Sequence, residues 1–173
     1  FYTFDGNGLR ALCMLTSDSK LKVLEVNQEK RKYHCSMIIP LLKKARFEYA
    51  LQKCVELGIK NVITYISYKA RDKYDFSKEL TRLDRYKEII KSAFLQSENY
   101  YLPDIEISEF LFDINFENFK NPIFLDQNAS LNLNKDEDVD AIIVGGEFGY
   151  HEKEIEFLEK QKNIKSFNIS SNI

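Results

Sequence analysis

From Ser36 onward short apolar runs alternate with helical patterns, and this alternation limits the fold more than any other feature of the 173 residues. Ser36-Met37-Ile38-Ile39-Pro40 is a short apolar strand. A helix is predicted over residues 41–57, with Phe47, Ala50, Leu51, Cys54 and Leu57 on one stripe and Gly58 as its stop. A strand over 61–67 follows, then a long helix capped by Ser77 and running to Ser97 on Leu80, Leu83, Tyr86, Ile90, Ala93 and Phe94. After Pro103 come Ile105-Glu106-Ile107, a short element through Phe119, a strand at Pro122-Ile123-Phe124-Leu125, a polar loop over 128–138, and a strand over 140–144. A helix over 151–162 and a last strand over 164–169 complete the pattern. Strands separated by helices imply parallel βαβ units with helices on both faces, hence an α/β fold.

The first 33 residues read differently. Asp5-Gly6-Asn7-Gly8 is a turn, and Ser17-Asp18-Ser19 separates the run Leu9–Leu15 from the alternating run Leu21-Lys22-Val23-Leu24-Glu25-Val26, as a hairpin loop does. Three short strands cannot hold an independent core. With a start at Phe1 rather than Met, this predicts an antiparallel sheet or barrel whose earlier strands precede the sequence.

One stretch of the α/β part invites a ligand. Ala141-Ile142-Ile143-Val144 runs into Gly145-Gly146-Glu147-Phe148-Gly149, which holds three of the chain's six glycines, and then into a charged helix near His151. In open α/β sheets ligands bind outside the carboxyl ends of strands, where the loops after Leu125, Val144 and Ile169 converge if those strands are neighbours. A strand-to-helix turn that needs glycine only for its geometry explains the same residues.

Composition narrows the setting. With 44% hydrophobic residues the chain can bury one substantial core or one core and a satellite. No apolar run approaches membrane-spanning length and the amino end lacks signal-peptide features, so the expectation is an intracellular, cytoplasmic protein. Cys13, Cys35 and Cys54 are odd in number and without CxxC or His/Cys clustering, which argues for free thiols and against zinc or any other metal site. Charge is unevenly divided: through Ser97 there are 19 Lys+Arg against 11 Asp+Glu, and from Glu98 onward 6 against 16. Such asymmetry suits a basic face for a polyanion, although a solvated helix surface produces the same runs.

Several segments in order resemble a known family. Lys44-x-Arg46-x-Glu48, Gln52-Lys53-x-x-Glu56-Leu57-Gly58-Ile59, Ala93-x-x-Gln96-Ser97 followed by Pro103, and Ile143-Val144-Gly145-Gly146-Glu147-Phe148-Gly149-Tyr150 with Glu154 resemble the bacterial 16S rRNA uridine-N3 methyltransferases of the SPOUT class. The family loop reads Gly-Pro-Glu-Gly-Gly-Phe-Ser. This chain keeps Gly145, Glu147 and Gly149, and places Gly146, Phe148 and Tyr150 where the family has proline, glycine and phenylalanine. The family's Glu-Gln-Ser-x-Arg is Leu95-Gln96-Ser97-Glu98-Asn99 here, without its charged pair.

The resemblance implies a partial PUA-like β-barrel over 1–35 and a SPOUT trefoil-knot methyltransferase domain over 36–173. It also implies S-adenosyl-L-methionine as methyl donor, N3 of a uridine in 16S rRNA or the small ribosomal subunit as acceptor, and a homodimer. Leu125, Gly145, Gly146, Glu147, Gly149, Ile169, Asn172 and Ile173 are the implied cofactor residues. Core packing accounts equally for Leu125 and Ile169, and a helix N-terminal carboxylate for Glu147. Lys30, Arg31, Lys32, Lys43, Lys44, Arg46, Lys69, Arg71 and Lys73 are the implied RNA contacts. The arginine that would stabilise the uracil anion is expected beyond Ile173, so no catalytic residue is assigned. His151 is a helix cap or a proton-transfer group, and His34 a packing or phosphate-contact residue. Two other readings compete: a non-catalytic RNA-binding module of the same fold, and a nucleotide-binding α/β protein, the latter opposed by the lack of GxGxxG after the first strand.

Overall fold

A computed structural model describes residues 1–133 and 137–168. Ile169, Asn172 and Ile173 lie outside the described residues. Three antiparallel strands, β1 (Tyr2–Phe4), β2 (Leu9–Leu15) and β3 (Leu21–Gln28), form the first sheet. The alternation in β3 is less regular than it looked, because apolar residues fall at 21, 23, 24 and 26. The pairing slips at the same place: Cys13 faces Val23 and Leu12 faces Glu25, leaving Leu24 as a bulge. The small sheet docks on the end of a long helix, with the Phe4 ring edge-on to Phe94 at 5.7 Å and Gly8 N donating to Tyr100 O at 2.9 Å.

The second sheet has six strands, all parallel, in the order β6-β5-β4-β8-β7-β9: β4 (Ser36–Pro40), β5 (Asn61–Tyr65), β6 (Asp104–Ser108), β7 (Pro122–Leu125), β8 (Ala141–Ile143) and β9 (Lys165–Phe167). The chain builds outward from β4 to β6, then crosses to the other side, so the order reverses between β4 and β8. That switch point is where an open α/β sheet leaves a crevice at its carboxyl edge.

Side chains alternate between two cores. Ile39, Val62 and Ile105 face α1 (Lys44–Glu56) and α3 (Leu83–Ser97), whose Phe47, Leu51, Val55, Tyr86, Ile90 and Phe94 are buried on them. Phe47 and Tyr86 meet edge to face at 5.0 Å. Ile38, Ile63, Tyr65, Phe124 and Ile143 face the opposite way, onto α4 (Glu152–Lys160) through Leu158 and onto the 3-10 turns Leu111–Asp113 and Phe116–Asn118. Ser97 and Asn99 join the two helix ends: the Asn99 amide donates to Val55 O at 2.6 Å and to Ser97 Oγ at 3.0 Å.

Element boundaries differ from the sequence reading for local reasons. The first helix starts at Lys44 rather than residue 41, since Leu41 N donates to Tyr65 O and prolongs the strand pairing. Leu57 falls after that helix and is exposed instead of lying on its buried stripe. The long second helix is two: Asp75, not Ser77, caps α2 (Phe76–Thr81) through its side chain, and the axis breaks at Arg82 before α3. Leu80 is exposed as a result. The strand predicted to residue 67 stops at Tyr65: Ile66 N still bonds Glu109 O, but the chain then turns into a 3-10 stretch, Tyr68–Lys73. α4 ends at Lys160, two residues early, as Gln161 turns extended.

Burial raises the thiols of Cys35 and Cys54, each from 9.0 to about 11, with Asp140 adding to the first and Cys35 to the second. A raised acid favours folding while it stays protonated, so this contribution is complete below pH 9 and is lost as pH climbs toward 11. The midpoint of thermal unfolding should therefore fall between pH 9 and 11, and Cys54→Ala should flatten part of that decline.

Candidate cofactor cleft and its basic border

The loop after β8 is held from beneath by two phenols. Tyr150 Oη donates to Ile143 O at 2.8 Å and Tyr65 Oη to Val144 O at 2.9 Å, so the last carbonyl of the strand and the one after it are satisfied from the core side. Burial pushes both phenols well above their ordinary range, which keeps them protonated as donors. A side chain at Gly145 would crowd the Tyr150 ring, which lies 3.1 Å from an ideal Cβ. Gly149 has φ +69° and donates to Gly146 O at 2.9 Å, closing a tight turn with Glu147 and Phe148 at its tip.

Two polar contacts reach this turn, and a buried carboxylate joins the segments that flank it. Arg46, on the first turn of α1, donates to Glu147 at 2.7 Å. Lys69 Nζ donates to Phe148 O at 2.7 Å. Glu154, 1% exposed, accepts from Tyr68 N at 2.9 Å with one oxygen and from His151 N at 2.7 Å with the other. It thereby ties the segment after β5 to the start of α4. His151 Nδ1 accepts from Lys153 N at 3.1 Å, completing a reciprocal cap.

Of the two readings of Glu147, the structure places it five residues before α4 and on Arg46, so it orients the loop instead of sitting at a helix N-terminus. His151 takes the capping geometry. Tyr65 and Glu154 matter to this loop in ways the sequence reading did not identify. Glu154 appears only in a spacing pattern, and nothing local marks a strand-end tyrosine as an anchor.

The turn separates two hollows. On one side a cleft of about 540 Å³ is bordered by Leu125, Asp126, Gln127 and Asn128 from the end of β7 and by residues 145–150. So Leu125, Gly145, Gly146, Glu147 and Gly149 come together, while Ile169, Asn172 and Ile173 lie outside the described residues. On the other side a small hollow of about 70 Å³ at the switch point is bordered by Leu41, Lys43, Ser67, Lys69, Lys73 and Phe148 among others. The predicted basic residues divide. Lys43, Lys69 and Lys73 surround this hollow, with Arg46 nearby through Glu147. Lys30, Arg31 and Lys32 line a separate cleft with Tyr33, Tyr100 and Tyr101, where the Arg31 guanidinium stacks on the Tyr101 ring at 4.4 Å. Lys44 borders a third, with Glu48 and Arg85. Arg71 lies over Tyr68 at 4.4 Å.

A parallel sheet with a glycine-turn cleft at the carboxyl ends of β7 and β8, beside a basic edge, is the arrangement in which open α/β proteins place their ligand sites. A family model described as an RNA methyltransferase domain matches residues 28–173, and the chain belongs to that family. It is 28% identical over 169 residues to the ribosomal RNA small subunit methyltransferase E 1 of Borreliella burgdorferi, spanning 92% of this chain and 70% of that protein. It is 26% identical over 155 residues to the ribosomal RNA small subunit methyltransferase E of Mesomycoplasma hyopneumoniae, spanning 85% and 67%. The fold matches that of the Neisseria gonorrhoeae ribosomal RNA small subunit methyltransferase E bound to S-adenosyl methionine, with a TM-score of 0.78 at 20% identity, over 100% of this chain and 75% of that one. A Thermotoga maritima protein described as a predicted RNA methyltransferase matches with a TM-score of 0.69 at 26% identity, over 98% and 74%. Among the described residues there is no cluster of potential metal ligands and no helix long and apolar enough to cross a membrane.

Replacing Glu154 by Gln puts an amide where an N–H needs an acceptor, leaving one buried donor unsatisfied. Glu154→Gln should lower the unfolding free energy by about 1–3 kcal/mol in urea titrations.

Proposed function

We propose that this chain carries the S-adenosyl-L-methionine-dependent methylation of N3 of a uridine in 16S rRNA, on the small ribosomal subunit in the cytoplasm. The observation that carries the reading is the cleft bounded by the turns after β7 and β8 in a chain of the RNA methyltransferase family. Its volume suits a cofactor-sized molecule, and it is bordered by Leu125–Asn128 and by the glycine-containing turn 145–150, where glycine lets a ligand approach the backbone closely.

In this reading Leu125, Gly145, Gly146, Glu147 and Gly149 hold the cofactor, together with Ile169, Asn172 and Ile173. When bound, S-adenosyl-L-methionine supplies an activated methyl group on a sulfonium. The chain's part is to orient it. The Arg46–Glu147 pair and the Lys69–Phe148 contact direct the turn toward the position that borders the cleft. Lys43, Lys69 and Lys73 neutralise RNA phosphates at its border, and Lys30, Arg31, Lys32, Lys44, Arg46 and Arg71 extend the basic surface. The uracil N3 proton must leave for the nitrogen to act as nucleophile. The family resemblance assigns stabilisation of that anion to an arginine carboxyl-terminal to Ile173. It also supports a division at residue 35 between a PUA-like part and a knotted methyltransferase part, and a homodimer.

Calorimetry should show saturable binding of S-adenosyl-L-methionine or S-adenosylhomocysteine to the full-length protein, and labelled methyl should enter small-subunit rRNA. No binding at millimolar ligand overturns the proposal. Salt-sensitive rRNA binding without methyl incorporation replaces it with the non-catalytic module. Plots of log affinity against log salt should lose roughly 0.7–0.9 of slope for each of Lys43, Lys69 and Lys73 that is replaced by Ala, if each neutralises one phosphate.

A further inference from the structure

Phe148 is out of place by the ordinary logic of folding. It is 66% exposed at the tip of the glycine turn, and the turn that carries it makes two side-chain contacts to the neighbouring elements. Its own carbonyl is held by Lys69, its neighbour Glu147 by Arg46, and the turn closes on Gly149. The Lys73 ammonium lies 5.2 Å from the centre of its ring. Among the described residues neither Lys69 nor Lys73 has a carboxylate within salt-bridge distance, so both ammonium groups remain available to an anion. Phe148 also borders both hollows, the cofactor cleft and the basic one at the switch point.

An exposed aromatic face flanked by cations without a carboxylate partner is the combination that binds a single-stranded nucleic acid: the ring stacks a base and the cations take its phosphates. We propose that Phe148 is a stacking platform for an unpaired base of the substrate RNA, with Lys69 and Lys73 on the adjoining phosphates, and that it positions that strand against the cofactor cleft. The inference rests on the RNA methyltransferase reading above. The family loop has glycine at this position, so the platform is a feature of this chain. Stacking also explains the exposure: a base covers the ring only in the complex.

The test uses the full-length protein with Phe148→Ala, Phe148→Leu, which keeps apolar bulk without a π-face, and Phe148→Tyr, which keeps the face. Ala and Leu should raise KM for rRNA roughly 5- to 150-fold, the cost of one lost base stack, with Tyr close to wild type. The dissociation constant for S-adenosyl-L-methionine and the sedimentation coefficient are followed in parallel. An unchanged KM for RNA overturns the proposal. So does a loss that appears instead in cofactor binding, which makes Phe148 a cofactor wall, or in sedimentation, which makes it a contact between copies. If wild-type protein transfers no methyl group, the functional reading fails and stacking is read directly. Wild type should then quench a single-stranded oligoribonucleotide carrying 2-aminopurine and Phe148→Leu should not; absence of quenching by wild type overturns the platform as well.

Discussion

Glu154 is the interaction on which the site depends. A carboxylate that is 1% exposed survives in a core only if its oxygens are satisfied, and here each takes a backbone N–H, from Tyr68 and His151, at the amino end of a helix whose dipole favours negative charge. Those donors belong to different crossovers. Through them, the segment after β5, which carries Lys69 and Lys73, and the start of α4, which follows the glycine turn, become one body. The turn between them then needs only surface contacts to hold its shape.

Those surface contacts are of unequal kind. The Arg46–Glu147 pair spans α1 and the turn, with Arg46 largely exposed, and an exposed pair contributes little stability. Its role is directional, since it uses up a carboxylate that would otherwise face incoming phosphates. Beneath, Tyr65 and Tyr150 do the structural part by filling the space under the strand end and donating to its carbonyls. The result is a wall one turn thick between the cleft beside Leu125–Asn128 and a hollow whose border includes Lys43, Lys69 and Lys73. The two hollows fall where they do because the strand order reverses between β4 and β8, which parts the loops at the carboxyl edge.

Much of the fold was legible in local pattern. The alternation from Ser36 onward predicts a parallel sheet with helices on both faces, and α1, α3 and α4 cover it as their apolar stripes require. Errors came where long-range bonds competed with propensity: Leu41 N paired with Tyr65 O instead of opening a helix, and Asp75 outbid Ser77 as a cap. At the site, Gly145 to Gly149 stood out because glycine clusters where backbone geometry is demanding. Glu154 and Tyr65 did not, since their partners are 86 and 79 residues away in sequence.

The sequence by itself determined the class of sheet, the position of the glycine turn, the uneven division of charge and the family resemblance, all of which are carried by spacing within short windows. Only the tertiary structure decided that Lys43, Lys69 and Lys73 gather at the turn while Lys30, Arg31 and Lys32 face a separate cleft. It alone showed that Glu147 belongs to Arg46 and that Phe148 stands exposed between two hollows. Charge and exposure acquire direction only when strands distant in sequence become neighbours, and the order of strands in a sheet is set by packing of whole elements rather than by any one of them.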